Sequence, residues 1–279
     1  MRIFNFDEQL IPLDEWVQTF VDWLVMNYRD FFQFIKIPVE ISLESLEWLF
    51  EILPPWVVIL AFAFAAWKYA GKRVTIFTVL TFLLVGYLGL WEDTMTTLAM
   101  VICSVVFCAI AGIPLGIMAG RSDRFEMILR PFLDAMQTTP AFVYLVPVVM
   151  LFSIGTVSGI LATIVFALPP IIRLTSLGIR QVHPELIEAA LAFGATPWQV
   201  LRKVQFPLAM PSIMAGLNQT IMMALSMVVI AALIGAGGLG NPVVQGLNTL
   251  EIGVATIGGL SIVLLAMVLD RITQGLGQS

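Results

Sequence analysis

Beyond residue 52 the chain alternates long apolar runs with short polar gaps. The runs fall at about 53–70, 74–91, 95–119, 140–157, 159–179, 212–235 and 252–269. Each approaches the roughly 20 residues that carry a helix across a hydrocarbon core of about 30 Å. The pattern predicts seven transmembrane helices in an all-α integral membrane fold. The period-2 alternation of a β-barrel is absent.

Residues 1–52 read differently. Leu13, Trp16, Val17, Phe20, Trp23 and Leu24 recur at helical spacing, with Asp14, Glu15, Gln18 and Asp22 between them. Further on, Glu40, Glu44, Glu47 and Glu51 form one stripe and Val39, Leu43, Leu46 and Phe50 an adjacent one. Four glutamates, Lys36 and Pro38 argue against a crossing here. Amphipathic N-terminal helices lying along the outer surface are expected. They serve either as a collar on the spans or as part of a docking face. Surface helices that bind anionic lipid usually carry Lys and Arg, whereas this tail holds ten acidic and three basic residues. The first ten residues show no signal-peptide pattern.

The longest polar gap in the apolar part runs from about Arg180 to Met210, and its punctuation predicts a helical hairpin. Pro184 suits a first helical position, with Glu185 and Glu188 in the opening turns. Leu186, Ile187, Ala190 and Leu191 make an apolar side. Gly194 suits a left-handed helix end. Thr196-Pro197 caps and starts a second helix, Trp198 to Gln205, with Pro207 and Pro211 expected to stop it. Glu188 offers a charge to a basic partner or to Arg202 and Lys203, and Ala189 and Ala190 admit close approach.

Charge then orients the whole. The composition is 59% hydrophobic and 12% charged, against about 25% charged in soluble domains. After Leu53 the basic residues are Lys68, Lys72, Arg73, Arg121, Arg124, Arg130, Arg173, Arg180, Arg202, Lys203 and Arg271. Seven spans place all of them in or beside one set of loops, with Lys68 and Arg173 snorkelling there from span ends. The opposite loops hold Glu92, Asp93 and Glu251. The basic face is therefore expected in the cytoplasm, with the N-terminus outside and the C-terminus inside.

Several chemistries are disfavoured. Gly71-Lys72-Arg73 is the only Gly-Lys pair, and neither the residue five before Gly71 nor the one after Lys72 fits a P-loop. No catalytic set, metal spacing or cofactor motif is present, and His183, the only histidine, reads as a cap or a solvent-facing residue. Cys103 and Cys108 lie in one apolar run and point in different directions, so two free thiols are expected. A pI of about 4.9 argues against nucleic acid. Ion-coupled carriers usually place carboxylates within spans; here Glu92, Asp93, Glu251 and Asp270 fall in loops or at span ends. An external energy source follows.

An isolated E-A-A-x-x-x-G reads as an interfacial loop. Here Glu188-Ala189-Ala190, Gly194 and Val204-Gln205-Phe206-Pro207 occur together at fixed spacing on the basic face. At these residues the chain resembles the permease subunits of ABC importers. The resemblance is closer to glycine betaine/proline betaine permeases, on Leu133-Asp134-Ala135-Met136-Gln137-Thr138-Thr139-Pro140-Ala141, Phe166-Ala167-Leu168-Pro169-Pro170 and Met223-Ala224-Leu225-Ser226-Met227, and extends from Ile11 onward. It implies a MetI-like type I permease core in the bacterial cytoplasmic (inner) membrane, used as two copies. It further implies two cytoplasmic ATPase subunits carrying ATP and Mg, and an external substrate-binding protein. Glu188, Ala189, Ala190, Gly194, Phe206 and Pro207 would couple to the ATPase. The chain divides accordingly into a tail (1–52), two peripheral spans (53–94) and a permease core (95–279) with its coupling hairpin at 184–207.

Polar residues and prolines within spans usually face protein or water. Gln137, Thr138, Thr139 and Pro140 open the fourth span. Pro169-Pro170 is expected to break the fifth. Asn218, Gln219, Thr220 and Ser226 lie in the sixth. Each alone fits a helix–helix hydrogen bond or a shaping role; as a set they are placed around a translocation path. Trp91 and Tyr144 read as interface anchors.

Overall fold

The computed structural model describes residues 12–278, and their regular structure is entirely helical. The acidic and basic residues before Pro12 lie outside the described residues. Helix α1 (Leu13–Ile52) is followed by α2 (Pro55–Tyr69), α3 (Lys72–Tyr87), α4 (Trp91–Arg121), α5 (Asp123–Thr138) and α6 (Ala141–Phe152). Then come α7 (Thr156–Arg180), α8 (Pro184–Ala192), α9 (Pro197–Val200), a π turn (Leu201–Gln205), α10 (Phe206–Ala232), α11 (Gly240–Thr249) and α12 (Ile252–Gln278).

The packing centre is α7, held between α4 and α10. Close approach is set by small residues. A Cβ on Gly116 of α4 would lie 2.5 Å from Thr175 Cβ and 2.7 Å from the Ile172 carbonyl oxygen. Gly112 and Gly120 repeat this one turn to either side, against Ile171 and Ile179. Apolar surface gains little by leaving lipid, so association depends on such backbone-to-backbone contact. Buried Ile171, Ile172, Ile179, Ala209 and Ile213 fill the seam.

These contacts bring the basic loops to one end. Gly178 meets Ala209 and Ser212, Gly277 meets Met214, and Gly275 lies against the Tyr69 carbonyl. The α2–α3 turn, the α4–α5 corner, the hairpin and the end of α12 therefore share a side. At the other end Leu239 N–H donates to Thr97 Oγ1 at 2.8 Å, and Gly155 N–H donates to the Ile234 carbonyl at 3.1 Å.

Four helical stretches are long and apolar enough to cross a membrane: Trp91–Arg121, Thr156–Arg180, Pro197–Ala232 and Ile252–Gly277. Two bent pairs raise the number to six if each is one crossing. They are Asp30–Ile52 with Pro55–Tyr69, bent by 108°, and Asp123–Thr138 with Ala141–Phe152, bent by 100°. Seven separate spans are thus not seen. The run assigned to 74–91 ends as a helix at Tyr87, where Gly89 (φ +75°) turns the chain. The span placed at 140–157 is helical only to Phe152, and Ser153 (φ +74°) and Gly155 (φ +138°) end it.

Two expectations about proline are corrected. Pro169-Pro170 does not break its helix: α7 runs through both, with each ring buried in the seam. Proline inside a membrane helix is tolerated where it is buried against protein. Pro207 and Pro211 do not stop the second hairpin helix, which continues into α10. The π turn explains the passage. Phe206 N–H reaches back to the Leu201 carbonyl, and this wider turn relieves the clash of a proline ring with the carbonyl four residues earlier. The N-terminal region, α1, is two helical stretches joined at a kink at Tyr28 (φ −123°, ψ 21°). Its Val39 and Leu43 are buried, and Cys103 Sγ lies 3.9 Å from the Val39 carbonyl. Cys108 faces α7, 3.6 Å from the Ile164 carbonyl; both thiols are free.

Candidate coupling hairpin and polar path

The hairpin is built from local rules. Pro184 opens α8, and His183 stands at the cap position without a side-chain bond, exposed. The end of α8 is a Schellman motif. Ala195 N–H donates to the Ala190 carbonyl at 3.0 Å, and Gly194 N–H donates to the Leu191 carbonyl at 2.9 Å. This closure needs a left-handed residue, and Gly194 supplies it at φ +82°. The four-residue step from Ala190 to Gly194 is therefore a requirement of the helix end.

Thr196 then forms a capping box with Gln199. Thr196 Oγ1 accepts from Gln199 N–H at 3.3 Å, while Thr196 N–H donates to Gln199 Oε1 at 2.8 Å. Val182, Val200 and Leu201 are buried, and Phe206 packs on the Leu201 cluster. These residues fix the base of the hairpin to the α7–α10 seam.

Its outer surface is uncovered. No residue of α8 is buried. Leu186 and Leu191 are exposed, Phe193 is 93% exposed and Trp198 65%. Ala189 is exposed and Ala190 half-buried. Glu188 is exposed and forms no ion pair with Arg202 or Lys203 among the described residues. The arrangement is a rigidly based, partly apolar protrusion with two carboxylates, Glu185 and Glu188, that form no ion pair among the described residues.

The polar residues assigned to a path separate into two groups. Gln137, Thr138, Thr139 and Pro140 lie at the α5–α6 bend. Thr139 Oγ1 donates to the Ala135 carbonyl at 2.7 Å, and Tyr144 Oη donates to the Met136 carbonyl at 2.5 Å, pinning the bend. Gln137 and Thr138 are exposed. On α10, Gln219 and Ser226 are exposed, while Thr220 is fully buried and its hydroxyl has no partner among the described residues. Asn218 faces another way. Its Nδ2 donates to Asp270 Oδ1 at 2.9 Å, and Thr273 Oγ1 donates to its Oδ1 at 2.6 Å. Asn218 thus joins α10 to α12, and Asp270 lies within α12 rather than at a span end. No hydrogen bond links the bend group to the α10 group among the described residues. Trp91 rests near Phe82, with centroids 6.1 Å apart, and Tyr144 lies edge-on to Phe166 at 6.3 Å.

Sequence patterning missed one polar assembly. Helix α5, read as loop, is capped by Ser122, whose Oγ accepts from Phe125 N–H at 3.3 Å. Arg180, at the end of α7, donates to Asp123 Oδ1 at 2.6 Å and to the Ala119 carbonyl at 2.8 Å, and pairs with Glu126 at 2.7 Å. Arg173, itself partly exposed, pairs with Asp134. The signal available was Ser122-x-x-x-Glu126 with Asp134 two turns on, but an isolated carboxylate stripe does not name its cation.

Known proteins bear on this geometry. The chain is 53% identical over 273 residues to the glycine betaine/proline betaine transport system permease protein ProW of Escherichia coli (strain K12), covering 98% of this chain and 77% of that one. It is 45% identical over 268 residues to the glycine betaine/carnitine transport permease protein GbuB of Listeria monocytogenes, covering 95% of each. An inward-facing structure of the MetNI methionine ABC transporter aligns with a TM-score of 0.58 at 27% identity, over 68% of this chain and 93% of that one. Residues 112–279, which hold the α4 glycines, the hairpin and the α10 rod, match the binding-protein-dependent transport system inner membrane component family, and the chain belongs to it.

Proposed function

We propose that this chain is the membrane permease of an ATP-driven importer for glycine betaine, proline betaine or a related quaternary-amine solute. One observation carries the reading: a capped hairpin whose α8 buries nothing and which presents Leu186, Leu191, Phe193 and Trp198 at the end where the basic residues gather. That surface suits a soluble ATPase, with Glu188, Ala189, Ala190 and Gly194 forming the contact and Phe206 and Pro207 tying it to α10. One hairpin per chain and two ATPases per transporter give two permease copies. The basic end faces the cytoplasm, with the N-terminus outside. The acidic tail (1–52) and two peripheral spans (53–94) flank a core (95–279), and an external binding protein delivers solute to the far side.

Gln137, Thr138, Thr139 and Pro140 with Gln219 and Ser226 border the path, with buried Thr220 behind them, while Asn218 keeps α12 on α10. Recognition of a trimethylammonium group uses aromatic faces, and Trp91 and Tyr144 here rest against Phe82 and Phe166. Selectivity is therefore assigned to the binding protein, and the solutes for which the ProW and GbuB relatives are named support the chemical class.

Reconstitution of the chain with its ATPase and binding protein in liposomes tests the reading. ATP-dependent glycine betaine uptake is expected, lost when Phe193→Asp or Leu191→Asp removes the apolar protrusion. Uptake that ignores ATP and follows an ion gradient would overturn it.

A further inference from the structure

The helix that leads to the Gln137–Pro140 bend is thinly anchored by apolar contact. Leu133 is the only buried residue of α5, while Met127, Ile128 and Phe132 are exposed. Elsewhere the core holds helices by close packing, as at Gly116 on Thr175. Besides Leu129, Leu133 and Met136, which pack on the α7 cluster, a pair of arginines two turns apart ties α5 to α7. Arg173 holds Asp134 near the bend end, and Arg180 holds Asp123 and Glu126 at the other. Arg180 also donates to the Ala119 carbonyl, one of the carbonyls left without an intrahelical donor at the end of α4. A guanidinium fork can serve three acceptors at once, which lysine does poorly.

The position of this clamp gives it a mechanical role. Arg180 ends α7, and Pro184 begins the hairpin after only three intervening residues. Any displacement of the hairpin base arrives first at Arg180. The clamp passes it to α5, and α5 ends at the polar bend.

We infer that Arg173 and Arg180 are positioning residues that transmit hairpin movement to the α5–α6 bend. The inference rests on the coupling role proposed for the hairpin. The Arg173–Asp134 pair is isolated and exposed, and such pairs contribute little to stability, so its loss should act on coupling before it acts on folding.

The test uses the reconstituted complex of permease, ATPase and binding protein, with glycine betaine as solute. Uptake and ATP hydrolysis are measured together for wild type, Arg173→Asp, Asp134→Arg, the Arg173→Asp/Asp134→Arg pair, and Arg180→Lys. Each single variant is expected to lower uptake per ATP hydrolysed about tenfold, with complexes that still assemble. The exchanged pair is expected to recover most of the ratio. An unchanged ratio in the single variants overturns the clamp, as does a fall in uptake and hydrolysis in equal proportion. So does an exchanged pair no better than the singles. Failure of wild type itself to couple uptake to ATP would instead overturn the function proposed above.

Discussion

Ala195 N–H closes onto the Ala190 carbonyl at 3.0 Å, and this single bond ties the alanine of the hairpin motif to the turn that follows it. It exists because Gly194 sits at φ +82° between them. Space is not the issue at that glycine, since a Cβ there would meet no atom within 4 Å.

Replacing Gly194 by Ala should therefore cost about 1–2 kcal/mol of local conformational energy, and Asn, which tolerates the left-handed region, should cost less. Hydrogen exchange at Ala195 and Phe193 should accelerate in the order Asn, then Ala. Stimulation of ATP hydrolysis by solute-loaded binding protein should fall in the same order, while the global melting temperature stays put.

The capping box gives a second handle on the same element. Thr196→Ala should destabilise the start of α9 by about 1 kcal/mol, because Gln199 N–H loses its acceptor at 3.3 Å. Ser at 196 should keep most of the effect. Exchange at residues 198–200 reports it directly; equal protection in Ala and Thr forms would remove the cap from the account.

At Gly116 the expectation reverses, because here space decides. A methyl group would meet both Thr175 Cβ and the Ile172 carbonyl oxygen, so α4 and α7 must separate. Gly116→Ala should lower stability by about 1–3 kcal/mol, read as an earlier thermal transition in detergent. Gly259, with nothing within 4 Å, is the matched control: Gly259→Ala should leave the transition unchanged or raise it.

Asn218 and Ser226 separate a structural polar residue from a path residue. Asn218→Leu leaves Thr273 and Asp270 short of a partner between α10 and α12 and should cost roughly 0.6–2 kcal/mol of stability. Among the described residues Ser226 bonds only to its own helix, at the Met222 carbonyl 2.9 Å away. Ser226→Phe should therefore spare stability and obstruct uptake. A stable protein with normal uptake in that variant would falsify its place on the path.

The hairpin was legible in the sequence because its causes are local. A Pro at the start, a Gly at the end and a Thr-Pro restart each act within a few residues. The Val39, Leu43, Leu46 and Phe50 stripe was legible for the same reason, and it is the stripe that packs: Val39 and Leu43 are buried, with Leu46 and Phe50 partly so. The prolines were misread because their outcome depends on neighbours. Pro169 and Pro170 sit inside a helix that the α4 glycines grip, and nothing at positions 169–170 announces those glycines. Helix α11, with its Asn and Gly residues, reads as loop; it is stabilised by contact with α12, where Gly246 approaches Ala255. The α5–α6 bend and its arginine clamp needed three-dimensional pairing across 39 and 57 residues.

The π turn ahead of Pro207 has a geometrical consequence. Because the helix survives that proline, residues Pro197–Ala232 form one unbroken stretch of 36 residues. At 1.5 Å per residue it is about 54 Å long. Under the coupling role proposed above, the stretch would act as a lever that starts in the hairpin and ends near Leu233 on the opposite side. Tilting it by about 10° about its first turns carries the far end through roughly 9 Å, wider than one turn of helix. A small rocking of an external partner would thus become a gap at the distant surface, with no residue between them changing its own conformation.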